Sequence, residues 1–442
     1  MTLRRSLSCF VLLLVLVLVL LPVLGPLPVS AQTAADLAVP QAVRDRIDRA
    51  SAELHSAITD MRRDIHMHPE LGFRETRTAA LVAERLKALG YDVRTGVGVT
   101  GVVGVLKGGR PGRVVGIRAD MDALPIPELI DVPYKSTVPN VKHACGHDAH
   151  TAIALGVAEI FSRMQADLPG TITMIFQPAE EGDPDGGRTG ALRMLDDGLF
   201  DAPKPDAIFG LHVMPTIEVG RLGANVGPAM ASADRFTVTI SGQKTHGAYP
   251  HTGVDPVPIA AQVIMALQTI PSRQIDAQKP TVVSVGIVQG GNRFNIIADE
   301  VSLTGTVRSL DTEGPSIVKG KMDAIVKGIT SSFGASYTLK YEEGAPVTYN
   351  DPALARASLP ALEAVAGAGN VTAPPPQMGA EDFAYFQQQV PGFYYFLGVG
   401  NSSRGITAMI HTEHFDIDEA ALAVGMRSMA TVVADYLYRN VR

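Results

Sequence analysis

The sequence predicts an α/β fold in which a domain built on a mostly parallel sheet is interrupted by an inserted ferredoxin-like unit (β-α-β-β-α-β). The chain has 442 residues, of which 46 % are hydrophobic, and this is enough for two separate cores. Near both ends of the chain, apolar runs typical of buried strands alternate with helical patterns, as in folds with helices on the faces of a parallel sheet. The middle of the chain has the strand and helix order of a ferredoxin-like unit.

The first 31 residues predict a signal peptide. Two arginines precede the apolar run "VLLLVLVLVLLPVL", and small residues follow it, with Val29-Ser30-Ala31 as the cleavage site. We therefore expect a secreted or periplasmic protein that has no membrane contact after cleavage. An uncleaved membrane anchor stays open, because the apolar run is near the lower length limit of a membrane span.

The first part of the parallel-sheet domain is predicted over residues 41–230. Apolar residues three and four positions apart indicate helices between residues 41 and 90. Strands are predicted at "VVGIRADMD", "TITMIFQPAEEG" and "DAIFGLHVMP", the last of which ends at His212, and a helix is predicted at "TAIALGVAEIFSRM". These elements provide the alternation on which the fold class rests.

The inserted unit is predicted over residues 231–345. Its segments are a strand "DRFTVTISG", a helix "DPVPIAAQVIMALQTI", strands "PTVVSVGIVQG" and "EVSLTGTVRSL", a helix "SIVKGKMDAIVKGITSSF" and a strand "SYTLKYEE". The parallel-sheet domain resumes over residues 346–442, where the strand "GFYYFLGVG" precedes a helix at the C-terminus. The chain is thus one larger domain with a smaller one inserted into it.

Charge and cysteine content narrow the function. The formal net charge of −7 gives no indication of nucleic-acid binding. Of two cysteines, signal cleavage would leave only Cys145, in the stretch "HACGHDAHT". A lone cysteine is either buried filler or a working thiolate. Three histidines and an aspartate surround this one, and they favour a thiolate that binds metal.

Further candidate ligands follow the predicted strands. Because the carboxyl ends of parallel strands meet at one edge of a sheet, these side chains can converge across the chain. The candidates are Asp120, Asp122, Cys145, His147, Glu180, Glu181, His212, His411 and His414. A thiolate with imidazoles and carboxylates suits zinc, manganese, cobalt or nickel. One ion needs about three protein ligands, so the set predicts two divalent metal ions that share a bridge.

The pair Glu180-Glu181 has two interpretations. Most such pairs are solvated carboxylates in a turn. Here the pair follows "IFQPA" and precedes Gly182, where neighbouring side chains can point in different directions. One carboxylate could then bind metal while the other takes a proton from a metal-activated water and passes it to a leaving amine.

Eight separated motifs occur in order between about residues 60 and 435. They are "RADMDALPI", "HACGHDAHT", "FQPAEEG", "GLHVMP", "HGAYPHTGVDP", "GGNRFNIIADE", "GAEDFAYF" and "MIHTEHFDIDE". Together they resemble the M20 metallopeptidase superfamily and, more narrowly, its amidohydrolase branch (subfamily D), which includes hippurate hydrolases, N-acyl-amino-acid amidohydrolases and auxin-conjugate hydrolases. The resemblance implies a dinuclear catalytic domain and an inserted lid domain that often forms a homodimer.

The resemblance also implies a role for individual residues. The metal ligands would be Cys145, His147, Glu181, His212 and His411. Cys145 would bridge the ions, in a place where other branches use a carboxylate. Glu180 would be the general base, and Asp122 would support a ligand histidine. In the lid, His246 would polarise the scissile carbonyl and Asn295 would line the substrate site.

The other histidines are assigned supporting places. His411 is preferred to His414 because the family's H-x-x-x-F spacing selects it. His68 is expected to shape the pocket or to cap a helix. His143, His150 and His251 are expected to be structural or to support the ligands.

The expected function is hydrolysis of the amide bond of N-acyl or N-aroyl amino acids, so the expected partner is a small N-acyl amino acid or a short peptide. A metallo-exopeptidase or dipeptidase is the alternative within enzymes. Substrate length would separate the two, since an acyl-amino-acid hydrolase needs no free N-terminal amine. The rival class is a silent binding protein on the same fold, which the complete set of ligands and the base disfavour.

Overall fold

The computed structural model describes residues 37–201 and 203–441. The predicted signal peptide, residues 1–31, lies outside the described residues. Within the described part of the chain, none of the helices has both the length and the apolar character that a membrane span requires.

The helices of the described residues, in chain order, are α1 (Gln41–Met67), α2 (Thr76–Ala88), α3 (His147–Ser162), α4 (Gly190–Asp196), α5 (Pro256–Leu267), α6 (Gly314–Ser332), α7 (Pro352–Ala366), α8 (Phe383–Gln387) and α9 (Ala421–Arg439). The strands are β1 (Asp92–Val97), β2 (Gly101–Lys107), β3 (Arg110–Asp120), β4 (Pro169–Gln177), β5 (Ala207–Glu218), β6 (Leu222–Ala224), β7 (Gly227–Met230), β8 (Asp234–Ser241), β9 (Thr245–His246), β10 (Thr281–Gly290), β11 (Ile296–Ile297), β12 (Glu300–Ser309), β13 (Ser336–Glu342), β14 (Thr348–Asn350), β15 (Val371–Thr372) and β16 (Gly392–Gly400).

The large sheet confirms the predicted fold class. Its strand order is β1-β2-β4-β3-β5-β16-β6-β15. The four central strands, β4, β3, β5 and β16, run parallel to one another. β1 and β2 extend one side as antiparallel neighbours. The parallel centre brings the carboxyl ends of four strands to one edge.

Helices cover both faces of this sheet. α1, α3 and α9 pack against each other and against one face, and their apolar side chains form the main core with those of the strands. α4 and α8 cover part of the other face around Met194 and Phe386. α3 is buried along almost its whole length and begins at His147. A candidate ligand therefore stands at the start of a rigidly packed helix.

A second, antiparallel sheet has the strand order β10-β12-β8-β13. α5 and α6 pack on it, and the side chains between them form a core of their own. This order is that of a ferredoxin-like unit, so the predicted pattern of the middle segment is confirmed. The domain boundaries at residues 231 and 345 stay predictions.

Two features differ from the predicted elements. The β1–β2 hairpin lies in a stretch for which no strands were predicted. β5 does not end at His212, as predicted, but continues to Glu218, because its pairing with β16 extends to Gly400. The apolar run stops earlier than the hydrogen-bonded ladder does.

Candidate metal centre

The candidate ligands converge at the carboxyl edge of the parallel strands. Asp120 ends β3, and Glu180 and Glu181 follow β4. His212 lies inside β5, but Gly210 of β5 is paired with Arg118 of β3, so His212 stands at the level of Asp120. The strand is longer than predicted, and the histidine is nevertheless at the expected edge.

Two groups of three possible ligands share Cys145. The ligand atoms of Cys145, His147 and His212 lie within 4.8 Å of one another, and so do those of Cys145, Glu181 and His411. Cys145 Sγ is 3.3 Å from Nε2 of His212 and 3.3 Å from Nε2 of His411. His411 Nε2 is 2.9 Å from Glu181 Oε1. This arrangement fits two ions with the thiolate sulfur between them.

The histidine tautomers also fit metal binding. His212 Nδ1 lies 2.6 Å from the carbonyl oxygen of Val213, which can only accept, so Nε2 keeps its lone pair for the site. His147 Nδ1 lies 3.2 Å from Asp122 Oδ1, and its Nε2 is buried with no hydrogen-bond partner among the described residues. A buried nitrogen without a partner is costly unless an ion occupies the place of the partner. Burial lowers the pKa of His212, which keeps it in the neutral form that binds metal.

The protein groups alone do not favour a thiolate at Cys145. Burial, followed by the charges of Glu181 and Glu180, raises the pKa of the Cys145 thiol well above its usual range. Divalent cations would reverse this, because a coordinated thiol is deprotonated. The negative surroundings therefore suit a thiolate only when cations are present.

Glu180 lies beside the ligands but is a member of neither of the two groups that include Cys145. Its Oε2 is 4.0 Å from His147 Nε2, and its Oε1 accepts a long hydrogen bond of 3.5 Å from the amide of Asp382. Burial, followed by the charge of Glu381, raises the pKa of Glu180 well above its usual range. A carboxylate with raised proton affinity is suited to take a proton from water.

Asp122 connects the two sides of the site. One oxygen contacts His147 Nδ1, and the other accepts a 3.0 Å hydrogen bond from the amide of Glu181. A carboxylate behind a ligand histidine orients the ring and raises its basicity. Here the same carboxylate also orients the backbone that carries Glu181.

Asp120, His147 and His150 form a third close group, but the side chains of Asp120 and His150 are already engaged. Asp120 makes 2.6 Å contacts with the Arg118 guanidinium and with His150 Nδ1. His150 Nε2 accepts a 2.9 Å hydrogen bond from the amide of Val213. Asp120 and His150 thus tie β3, α3 and β5 together behind the ligands.

Arg118, Glu381 and Asp382 have no role predicted from the sequence, although all three lie in quoted motifs. The Arg118 guanidinium is 2.8 Å from Glu381 Oε1 and 3.0 Å from Asp382 Oδ1. These two carboxylates and Glu180 form a close group. The Arg118 cation partly neutralises the charge beside Glu180. Neighbouring acidic residues at the start of α8 were the one visible signal, but their partner on β3 depends on the sheet order.

The remaining histidines are apart from the ligands. His68 was expected either to shape the pocket or to cap a helix, and it caps the C-terminal end of α1. Its Nδ1 lies 2.8 Å from the carbonyl oxygen of Asp64. His143 is buried, and burial lowers its pKa to about 4. His251 and His414 are exposed.

A cavity of about 400 Å³ opens onto the candidate ligands. It lies between the two sheets, because Arg308 of β12 lines it together with Cys145, Glu180 and His411. Arg308 makes no ion pair with any described residue. Burial lowers the pKa of its guanidinium, although the charge of Asp234 raises it. A half-buried cation therefore faces a cavity that also holds the ligands.

His246 and Asn295 lie together at one end of the second sheet's domain, where β9 pairs with β11. Gly247 donates a 2.8 Å hydrogen bond to the carbonyl oxygen of Asn295. His246 is exposed, and the Asn295 Oδ1 atom is buried with no partner among the described residues. Neither residue lines the cavity described above. The structure thus brings the two predicted lid residues to each other, and not to the ligands.

The fold and the site define a hydrolase that acts on amide bonds. Residues 116–435 match the sequence model of Peptidase family M20/M25/M40, and the chain belongs to this family. YhaA of Bacillus subtilis, named as an amidohydrolase, is 41 % identical over 379 residues, which cover 86 % of this chain and 94 % of YhaA. Thermostable carboxypeptidase 2 of Saccharolobus solfataricus is 39 % identical over 386 residues (87 % and 96 %). N-acetylcysteine deacetylase of Bacillus subtilis is 37 % identical over 383 residues (86 % and 97 %).

Solved structures agree with this assignment. The YXEP protein of Bacillus subtilis, described as a dinuclear metal binding peptidase from the M20 family, is 34 % identical with a TM-score of 0.75. The match covers 87 % of this chain and 98 % of that one. A protein of methicillin resistant Staphylococcus aureus named as an aminohydrolase is 33 % identical with a TM-score of 0.84, covering 89 % and 100 %.

Proposed function

We propose that the protein is a dinuclear metal-dependent amidohydrolase that cleaves N-acyl or N-aroyl amino acids. The observation that carries the proposal is the pair of ligand groups sharing Cys145, with Glu180 beside them in one cavity. One ion would be held by Cys145, His147 and His212, and the other by Cys145, Glu181 and His411. Zinc, manganese, cobalt and nickel all suit this set of donors.

Each group of the chain has a defined task in this reaction. The ions, when bound, supply Lewis-acid chemistry that acidifies water and polarises the amide carbonyl. Glu180 accepts the proton of the attacking water and delivers it to the nitrogen of the leaving amine, so its own charge is restored at the end. Asp122 holds the His147 ring in place, and Arg118 balances the charge of Glu381 and Asp382 next to Glu180.

The proposed substrate class follows from the charges around the cavity. An N-acyl amino acid has a free carboxylate, and Arg308 is a cation in the cavity wall with no ion-pair partner among the described residues. An arginine fork binds a carboxylate well. The relatives named as a carboxypeptidase and a deacetylase support this class. The names imply substrates in which the amino acid released as the amine carries a free carboxylate.

An exopeptidase of the dipeptidase or aminopeptidase kind requires recognition of a free amine. The carboxylates of Glu381 and Asp382 could bind such an amine, but both are already bound. Glu381 contacts Arg118 and accepts a short hydrogen bond from the Tyr394 hydroxyl, and Asp382 accepts a 2.7 Å hydrogen bond from Gln177. This engagement favours an uncharged acyl group over an amine.

A homodimer formed through the second sheet's domain belongs to the same proposal. β10 is an edge strand of that sheet, and Ile287 and Val288 on it are about half exposed. Phe294, in the following turn, is 96 % exposed. An apolar edge strand of this kind is a template for pairing with another chain. Export by the N-terminal segment, with a secreted or periplasmic location, is proposed from the sequence alone.

The test is a screen of N-acyl amino acids with metal-reconstituted protein. We expect turnover of N-acetyl and N-benzoyl amino acids and little turnover of the matching amino acid amides, which lack the carboxylate. Arg308→Met should raise KM for the acids and leave the amides unaffected. Dipeptides with free amines serve as the second arm. Faster turnover of dipeptides than of their N-acetylated forms would overturn the proposal in favour of the exopeptidase.

A further inference from the structure

The turn that carries Glu180 and Glu181 has an unusual backbone. Ala179, immediately before Glu180, has a φ of 45°, a left-handed conformation that a residue with a Cβ rarely adopts. Such a conformation persists only where the surroundings enforce it. Because Ala179 precedes both carboxylates, its backbone angles set the direction in which Glu180 and Glu181 leave the turn.

A buried carboxylate holds this residue. Glu75 is fully buried at the N-terminus of α2, and its Oε1 accepts a 2.8 Å hydrogen bond from the Ala179 amide. Its Oε2 accepts a 2.5 Å hydrogen bond from the Thr100 hydroxyl. Burial, followed by the charge of Asp122, raises the pKa of Glu75 to about 7. In either protonation state one oxygen remains an acceptor for Ala179, so the hydrogen bond does not depend on the charge.

The backbone just before Glu75 also packs closely against the turn. A Cβ added at Gly72 would lie 2.4 Å from the carbonyl oxygen of Gly182 and 2.9 Å from the Cβ of Ala179. Gly190 also holds the turn, because its amide donates a 2.9 Å hydrogen bond to the carbonyl oxygen of Ala179. The segment from Gly72 to Glu75 thus holds the turn by close packing at Gly72 and by the hydrogen bond of Glu75.

We propose that Glu75 is a positioning residue for hydrolysis, which fixes the Ala179 turn so that Glu181 reaches its ion while Glu180 reaches the water. The proposal rests on the proposed function only for its kinetic readout. Glu75 contacts neither the ions nor the substrate, and it acts through the Ala179 amide. The alternative is that Glu75 only stabilises the start of α2, which would lower the melting temperature and leave the site unchanged.

The test combines cobalt binding with kinetics. Apoprotein is titrated with Co²⁺, and the Cys145 thiolate-to-cobalt absorption band is followed together with calorimetric stoichiometry. In Glu75→Leu we expect the first ion to bind as in wild type and the second to bind about 10- to 100-fold more weakly, with a fall in kcat of similar size and little change in KM. Glu75→Gln should restore both, because its amide oxygen can accept from Ala179 while its NH₂ group faces Thr100.

Two further variants make the result unambiguous. Thr100→Val removes only the other hydrogen bond of Glu75 and should behave as wild type. Gly72→Ala replaces no polar side chain, and residue 72 has no positive φ that would strain an alanine there. It should therefore reproduce the cobalt-binding and kcat defects through steric contact with the turn alone. Gly72→Ala decides the question if Glu75→Leu does not fold.

The positioning role would be overturned if folded Glu75→Leu had wild-type affinity for both cobalt ions and wild-type kcat. Where Glu75→Leu does not fold, the same result in Gly72→Ala would overturn it. A wild-type protein that binds two cobalt ions but hydrolyses no N-acyl amino acid would instead overturn the proposed substrate. The cobalt titration would still decide the role of Glu75.

Discussion

Cys145 and Glu180 differ in what their surroundings do to them. Cys145 lies equally close to two histidine nitrogens, one from each ligand group, which fits a sulfur shared by two ions. Glu180 lies beside the ligands, where carboxylates rather than histidines dominate its surroundings. The two residues should therefore fail in different ways when they are replaced.

Glu180→Gln should retain both ions and the fold but lose most of kcat. The amide has the same shape, but it cannot accept a proton from water, so a loss of about a hundredfold to ten-thousandfold is expected. Metal content by mass spectrometry and kcat are measured on the same sample. Activity within about tenfold of wild type, with metals measured as full, would contradict the role of Glu180 as the base.

Cys145→Ala should lower metal content and activity together, because both ligand groups include this sulfur. Cys145→Ser should not restore them fully, since an alcohol at neutral pH is a much weaker anionic ligand than a thiolate bound to metal. Metal per chain is measured after dialysis against metal-free buffer. Two ions retained in Cys145→Ala would mean that the cysteine is filler.

The sequence was informative about the ligands and about Asp122, which lies in a ligand motif and contacts His147, but not about the supports farther away, for a physical reason. Ligands are rare residue types in short motifs, and most of these motifs lie near the end of a predicted strand or at the start of a predicted helix, the loop of His411 being the exception. Arg118 meets its carboxylate partners only because β3 lies beside the segment just before α8. Glu75 meets Ala179 only because the start of α2 lies beside the turn after β4. Sheet order and backbone angles determine such contacts, and local patterns encode neither.

At the scale of elements, the loop that carries His411 is held by the segment before α3. The His411 amide donates a 2.8 Å hydrogen bond to the carbonyl oxygen of Ala144. The fully buried ammonium of Lys142 donates to the carbonyl oxygens of Glu413 and Phe415, at 3.0 Å and 2.6 Å. One short segment therefore positions Cys145 and fixes the loop that brings His411 to it.

Lys142→Met should weaken the ion held by Cys145, Glu181 and His411 and spare the other ion. Methionine fills a similar volume but makes neither hydrogen bond, and it leaves the carbonyl oxygen of Phe415 without a donor. The loop therefore loses part of its support, and we expect affinity to fall by about 10- to 100-fold. Arg63→Met is the matched control, because Arg63 pairs with Glu419 further along the same segment and is partly exposed. Calorimetric titration of the apoproteins with zinc measures the effect. Equal affinities in the two variants would show that Lys142 does not support His411.

The predicted strands and helices were mostly correct where apolar residues recur with a single period along the sequence. The alternation in the second sheet and the long apolar faces of α1 and α9 are of this kind. The β1–β2 hairpin was not predicted, since β1 is mostly exposed and has no apolar alternation. The end of β5 was placed too early because the strand continues past His212 through the buried Val213 and Met214, and its pairing with β16 extends to Glu218. Hydrogen-bonded ladders do not need apolar side chains at every position.

At the scale of the whole molecule, the two domains share one cavity, yet His246 and Asn295 lie outside it. β11 of their β9–β11 pair begins two residues after the exposed Phe294, which follows the edge strand β10. If His246 polarises the scissile carbonyl, either the lid must close or a partner subunit must supply the residue. The exposed apolar edge favours the partner.

A mixing experiment tests this sharing of the site. His246→Ala and Glu180→Gln should each be nearly inactive alone, because each homodimer lacks one group at both sites. After unfolding, mixing and reassembly, a heterodimer combines the intact Glu180 domain of one chain with the intact His246 lid of the other at one of its two sites. Random pairing makes half of the dimers heterodimers, so about one quarter of wild-type activity should return. Each variant reassembled alone is the control, and native mass spectrometry of differently tagged chains verifies the heterodimer. No recovery in a mixture that contains heterodimers would exclude the shared site, and a fully active His246→Ala would remove this residue from the reaction.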